Sequence, residues 1–298
     1  MAPSFNDIRL ILNSAQVMTL VRNGPLQLVT FDGDVTLYDD GHNLTRDNPV
    51  VARILQLLSQ GVKVGIVTAA GYTEASKYYE RLFGLLETIA ESVSKKELED
   101  PTLVIVGGES NYLFVFDARS EFLLRSVPRE DWVLEGMKNW TDENVNALLD
   151  VAQRALHECI MNMNLSAEIV RKHRAVGIIP TSGPNAQKFT REQLEETVLV
   201  TQQIVEMSPV GKAIPFCAFN GGNDVFVDIG DKSWGVLACQ RFLGAIEGSK
   251  TLHVGDQFLS AGANDFKARL ACTTAWIANP GETVSLLDEI ADHSRTEW

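Results

Sequence analysis

Cysteine, basic residues and long apolar runs are all scarce in this chain of 298 residues, and each scarcity removes a class of function. Cys159, Cys217, Cys239 and Cys272 are widely scattered with no paired ligand spacing. This argues against a zinc site or a disulfide framework and predicts buried, reduced thiols. His157, two residues before Cys159 in a helical stretch, reads as structural. Lys and Arg number 26 against 39 Asp and Glu, a formal net charge of -13. Such a balance argues against nucleic acid or an anionic membrane as the main partner, so an anionic substrate would need positive charge supplied locally, by a metal or a few Lys and Arg. No apolar stretch approaches the roughly 20 residues that span a bilayer. The start, Met1-Ala2-Pro3-Ser4-Phe5, lacks a basic region followed by an apolar one, and a cytosolic protein is expected. Internal repeats and low-complexity tracts are also missing.

What is present is ordinary globular material, 45% hydrophobic and 22% charged, long enough for a large core plus a second module. Asn6 or Asp7 can cap a first helix that runs to Asn23-Gly24-Pro25. Leu28-Val29-Thr30-Phe31 and Lys63-Val64-Gly65-Ile66-Val67 read as buried strands on either side of a helix near Val50 to Leu58, which suggests a parallel sheet. A helix from Tyr72 to Leu86 and a strand from Thr102 to Val106 follow. The texture then changes to hairpins, Tyr112 to Asp117 with Glu121 to Val127 and Phe216 to Phe219 with Asp224 to Ile229. Between these lie helices near Asp142 to Met161 and Thr190 to Glu206 and a strand from Ala175 to Ile179. Parallel texture resumes at Thr251 to Gly255 and Thr273 to Ala278. The expected organisation is an α/β core of residues 1–72 and 226–298, with an α+β unit of residues 73–225 inserted into it.

Chemistry-bearing residues fall at the ends of the parallel strands. Asp32-Gly33-Asp34-Val35-Thr36-Leu37 follows the first strand directly. In open parallel sheets ligands gather outside the carboxyl ends of the strands, and two acids there can hold a divalent cation while one attacks phosphorus. A lone Asp-x-Asp is equally a solvated turn; the other strand ends give it weight. Thr68 closes the second strand among small residues, where its hydroxyl and nearby backbone N–H groups suit a phosphoryl oxygen. Lys232 leaves the last hairpin and opens a helix, Gly255-Asp256 follows the third strand, and Asp265 stands across a glycine-containing loop.

In this chain order, the Asp-x-Asp, Thr, Lys and Gly-Asp motifs resemble the haloacid dehalogenase superfamily of phosphotransferases. The long segment between Thr68 and Lys232 resembles the large cap inserted there in one of its branches. Four segments carry a closer likeness: Phe31 to Gly41, Val67 to Tyr72, Gly107 to Tyr112, and Asp228 to Gly235. They resemble the fungal and protozoan IMP-specific 5'-nucleotidases along nearly the whole chain. The resemblance implies a Rossmannoid parallel-sheet core with an inserted α+β cap, and Mg²⁺-dependent hydrolysis of IMP to inosine and phosphate through an aspartyl-phosphate. It implies Asp32 as nucleophile, Asp34 as general acid and base and, through its backbone carbonyl, a metal ligand, and Asp256 as a further ligand. Lys232 and Thr68 would hold the phosphoryl oxygens, and Asp265 would be a ligand or a support for one. Members usually carry a further region before the first helix, associated with ATP activation and assembly. The sequence here begins at that helix, so ATP as effector and a homo-oligomer are expectations of the resemblance only.

Base recognition rests on fewer signals. Asp40, with Tyr38, could reach the ribose or purine, or be a solvated acid in Asp39-Asp40-Gly41. Arg81 could meet the substrate from the cap hinge, or be an exposed helix arginine. In Gly107-Gly108-Glu109-Ser110-Asn111 an amide could bond the hypoxanthine O6 or N1, or the residues could simply form a turn. The run Arg171, Lys172, His173, Arg174 suits phosphate steering or effector binding as well as a solvated face. Two other functions stay open: a phosphatase of the same superfamily acting on a sugar phosphate or another nucleotide, and a non-catalytic nucleotide-sensing protein.

Overall fold

Strand β1 (Leu28–Phe31) is buried at every position and lies in the middle of a seven-stranded sheet. It pairs in parallel with β2 (Lys63–Val67) on one side and β10 (Thr251–Gly255) on the other. Beyond these lie β3 (Leu103–Gly107) and β11 (Thr273–Trp276), also parallel. The computed structural model describes residues 2–182 and 187–296. Continuous Val, Ile and Leu runs, without alternation, are what a parallel sheet covered on both faces requires. Val29, Phe31, Val64, Ile66 and Ile105 enter one core, while Leu28, Val67, Val104 and Val106 enter the other.

Helix α1 (Phe5–Arg22) starts at a capping box in which Ser4 and Asp7 bond reciprocally. It is anchored by Arg9, whose guanidinium donates to both carboxylate oxygens of Glu282 and to the Trp276 carbonyl. Helix α2 (Pro49–Ser59), with Asn48 as N-cap and Pro at its first turn, covers β2 and packs on α9 (Pro280–Thr296). Helix α3 (Ala75–Ser94) begins three residues later than the Tyr72 expected from the pattern. Helix α7 (Lys232–Phe242) covers the opposite face of β2 and β3, N-capped by Asp231, which accepts from the Ser233 and Trp234 amides.

A second sheet has the order β6 (Ala167–Arg171), β7 (Ala175–Pro180), β9 (Val225–Ile229), β8 (Phe216–Asn220), all antiparallel. Helices α4 (Asp142–Met163) and α5 (Arg191–Met207) pack against each other and against this sheet; α6 (Pro209–Ala213) follows. The sheets do not follow the expected division of the chain at 72/73 and 225/226. Hairpin β4 (Tyr112–Phe116) and β5 (Leu124–Ser126) extends the core sheet, with β4 antiparallel to β3 through Val104↔Val115 and Val106↔Leu113. Strand β9, expected to open the second half of the core, is central to the smaller sheet. Alternating patterns announce a hairpin but not the sheet that takes it. Here the tight Gly107–Asn111 turn folds β4 straight back on β3, and the smaller sheet spans only 167–229.

Candidate active site

The candidate site lies at the carboxyl ends of β1, β2 and β10, where a parallel sheet leaves its crevice. Asp32 directly follows β1, and its amide donates to Val254 O on β10 at 2.9 Å, which fixes the direction of the loop. Its Oδ1 accepts a hydrogen bond from Lys232 Nζ. Lys232, fully buried at the first position of α7, also donates to the last carbonyl of β2, Val67, at 2.5 Å, and lies 3.3 Å from Asp265 Oδ1. One ammonium thus joins the ends of β1 and β2 to the start of α8. Thr68 is buried, its amide tied to Val106 O and its hydroxyl accepting from the Ala70 amide at 3.1 Å. Asp34, half-buried, accepts from the Gly41 amide and lines the cavity.

Asp265, at the start of α8 (Asn264–Lys267), organises the acidic loop. Its Oδ2 accepts from the amides of Asp256 and Gln257 at 3.0 and 2.9 Å, and its Oδ1 faces His253 Nε2 at 3.1 Å. His253 Nδ1 in turn meets Thr30 Oγ1 at 2.9 Å. With Nε2–H donating to the carboxylate, Nδ1 accepts from the threonine hydroxyl, so strand β1 is tied to the acidic loop through one imidazole. Gly255 must lack a side chain here, because a Cβ would lie 2.3 Å from Asp265 Cγ.

Carboxylate oxygens of Asp32, Asp256 and Asp265 lie within 4.8 Å of one another. Burial pushes Asp32 and Asp256 well above the usual carboxylate range, and the neighbouring acids add to this, with Lys232 opposing. Burial would raise Asp265 too, but Lys232, His253 and the Gln257 amide outweigh it and hold the group below its ordinary value. Burial likewise opposes the charge of Lys232, yet Asp265 and Asp32 hold it protonated above the usual lysine range. An all-oxygen donor set crowded enough to resist ionisation fits a hard divalent cation, which would supply the missing positive charge. Both Asp265 oxygens are already engaged by protein donors, whereas Asp256 is the more exposed acid, so a cation would find freer oxygens on Asp256 than on Asp265.

A cavity of about 280 Å³ is lined by Asp32, Asp34, Asp40, Thr68, Arg81 and Asp256, and by the Phe219–Gly222 turn of the second sheet. Asp34, Ala69, Ala70 and Phe219 also line an adjoining chamber of about 180 Å³, whose far wall is Tyr112, Lys172, Arg174, Asp224, Phe226 and Asp228. Arg81 donates to His42 O at 3.0 Å and faces this space, unlike a purely solvated helix arginine. Asn111 is not on the cavity wall: its amide nitrogen donates to Gly108 O and Ile229 O, both at 2.7 Å, strapping the β3–β4 turn to the end of β9. A base-reading amide would need those donors free. The basic run divides, with Arg171 paired to Asp150, Arg174 to Asp142, and Lys172 over the Phe226 ring at 4.5 Å, facing the second chamber. His253, Thr30 and Asn264 escaped sequence reasoning because no local spacing marks them; a histidine inside a strand next to a Gly-Asp turn was the available signal.

The profile of the IMP-specific 5'-nucleotidases matches residues 1–287. The chain belongs to the IMP-specific 5'-nucleotidase family. It is 62% identical to an IMP-specific 5'-nucleotidase 1 of Aspergillus fumigatus over 99% of its length and 65% of the relative's, so it spans about two thirds of that protein. An IMP-bound, singly substituted IMP-nucleotidase of Plasmodium falciparum superposes with a TM-score of 0.86 at 38% identity, covering 98% of this chain and 72% of the other. An ATP-bound form of the P. falciparum protein gives a TM-score of 0.82 at 35% identity, covering 99% and 67%. Among the described residues no helix is long and apolar enough to cross a membrane.

Proposed function

We propose that the chain hydrolyses IMP to inosine and phosphate with Mg²⁺, through an aspartyl-phosphate on Asp32. The observation that carries this reading is the convergence of Asp32, Asp34, Thr68 and Asp256, from three chain segments, on one cavity, with Lys232 buried behind its wall and bonded to Asp32. Family membership and the IMP-bound relative favour IMP as the ester.

Asp32 attacks phosphorus in line with the ribose O5', the P–O5' bond breaks, and Asp34 delivers a proton to the leaving oxygen. Asp34 then takes a proton from water as that water attacks the acyl phosphate, which returns Asp32 and releases phosphate. Lys232, already bonded to Asp32, keeps the carboxylate aimed and, with Thr68, meets the charge spread over the phosphoryl oxygens. Mg²⁺, held by Asp32, Asp256 and the main-chain carbonyl of Asp34, would neutralise charge on nucleophile and phosphate. Asp265, through its bonds to the Asp256 and Gln257 amides, keeps Asp256 turned toward that place.

The second sheet with α4 and α5 is read as a cap, its Phe219–Gly222 turn closing over the phosphate side and its Lys172–Phe226 wall leaving the second chamber for the nucleoside. Asp40 and Arg81, which line the same cavity as Asp34, would meet the ribose and phosphate. The ATP-bound relative supports ATP as an effector. Phosphate release from a panel of nucleoside and sugar monophosphates, with and without Mg²⁺ and ATP, tests the reading. Preference for a sugar phosphate would make the chain a different phosphatase, and no Mg²⁺-dependent release from any ester would remove the enzymatic reading.

A further inference from the structure

Glu109 combines two unfavourable features. Its backbone lies in the left-handed region at φ 63°, where Gly, Asn or Asp fit with less strain, and its carboxylate is completely buried. A turn alone explains neither. Its contacts point to another role. The Glu109 amide donates to the Thr68 carbonyl at 2.9 Å, so the β3 end is tied to the phosphate-binding loop of β2. Its Oε1 accepts from Asn264 Nδ2 at 2.9 Å, and Asn264 Oδ1 accepts from the Asp265 amide at 2.9 Å. Its carbonyl lies so close to α7 that a Cβ on Gly235 would meet it at 2.2 Å. Oε2 has no hydrogen-bond partner among the described residues, and burial pushes the carboxyl above its ordinary value against the opposing pull of Lys232, one turn before Gly235. Glu109 lines neither chamber, so it does not meet the substrate.

We propose that Glu109 is a positioning residue that holds the Thr68 loop, the Lys232 helix and the Asn264–Asp265 turn in register. The bond to Asn264 sets the acidic turn, the amide bond to Thr68 sets the loop, and the carbonyl packed against Gly235 sets the helix. The catalytic part of this inference rests on the proposed phosphatase reading; the structural part does not.

Turnover of IMP at saturating Mg²⁺ and amide hydrogen exchange over residues 255–266 are measured together in Glu109→Ala, Glu109→Gln, Asn264→Ala and the double Glu109→Ala/Asn264→Ala variant. Glu109→Ala is expected to lower kcat about 10- to 100-fold, as loss of a residue supporting a ligand shell does, with KM little changed, and to speed exchange at Asp256, Gln257 and Asp265. Asn264→Ala should match it in exchange, and the double variant should be no worse than the poorer single one, because both act through the same bond. Glu109→Gln keeps an acceptor for Asn264 and should keep both the protection and most of the turnover. Loss of protection and turnover in Glu109→Gln, unaltered exchange in Glu109→Ala or additive losses in the double variant would overturn the proposal. If the wild-type chain releases no phosphate from IMP, the phosphatase reading falls, and exchange still decides whether Glu109 holds the turn. Should Glu109→Ala fail to fold, the Gln and Asn264 variants decide it.

Discussion

The end of the cleft proposed for the phosphate and the end proposed for the nucleoside are built differently. At the phosphate end Lys232, Asp265 and His253 are fully buried, and each meets named partners on neighbouring strands. At the nucleoside end much of the wall comes from the second sheet: Lys172 is exposed and rests on a ring, and Asp224 is held only partly out of water. A pre-organised polar network suits chemistry whose charge develops at one fixed point, whereas a looser wall suits recognition completed on closure. Substitutions at the phosphate end should therefore change kcat steeply, and those at the rim should mostly change KM.

The largest loss is expected from Asp32→Asn, which leaves the fold intact and removes the anionic oxygen that attacks phosphorus; stopped turnover with no trapped phosphoryl-enzyme checks it. Wild-type-like hydrolysis by the folded variant would take Asp32 out of the nucleophile role. Asp34→Asn comes next, with ester cleavage slowed by roughly two to four decades, the usual range for general acid–base catalysis. A leaving group that needs no proton should recover much of that loss, and an unchanged rate with IMP would assign the proton elsewhere.

Asp256→Asn and Lys232→Ala should separate by their response to Mg²⁺. Loss of the Asp256 oxygen weakens cation binding, so excess Mg²⁺ partly restores the rate; loss of the Lys232 ammonium removes a fixed charge from phosphoryl transfer. Lys232→Ala also strips Asp32 and Asp265 of the ammonium they share and should lower the melting temperature, part of which added Mg²⁺ recovers. Equal rescue of both rates would merge roles that the structure keeps apart. Smallest is Arg81→Ala, expected to raise KM about tenfold with kcat nearly kept, as removal of uniform substrate binding does. A kcat collapse in Arg81→Ala would extend the stiff network to the rim and erase the contrast.

The same division governs what could be read from sequence. Asp32, Thr68, Lys232 and Asp256 each sit within a residue or two of a buried strand's end or a helix start, so local pattern places them on one edge of a sheet before any coordinates exist. Asp265 was in view as a ligand or a support for one, and the choice between them turns on which oxygens the Asp256, Gln257 and His253 groups occupy. Asn111 looked like a base reader by residue type, yet its amide bonds a carbonyl 118 positions away. Strand β6 carries no strict alternation, being only partly buried along its length, and passed unnoticed. The hairpin at 112–126 was legible as a hairpin, while its membership of the core sheet is a tertiary fact. Lys172 and Phe226 approach each other only because β7 pairs with β9.

The central claim joins the stiff end to the substrate, and kcat/KM for IMP, AMP and GMP at saturating Mg²⁺ tests it most directly. A site that bonds the hypoxanthine O6 and N1–H meets the wrong donor and acceptor on adenine, leaving polar groups unpaired, so AMP should be rejected strongly; GMP shares that edge and must be refused at its 2-amino group. The account predicts IMP well ahead of AMP, with GMP between them or below. Comparable values for IMP and AMP would contradict it and leave a broader phosphatase built on the same acids.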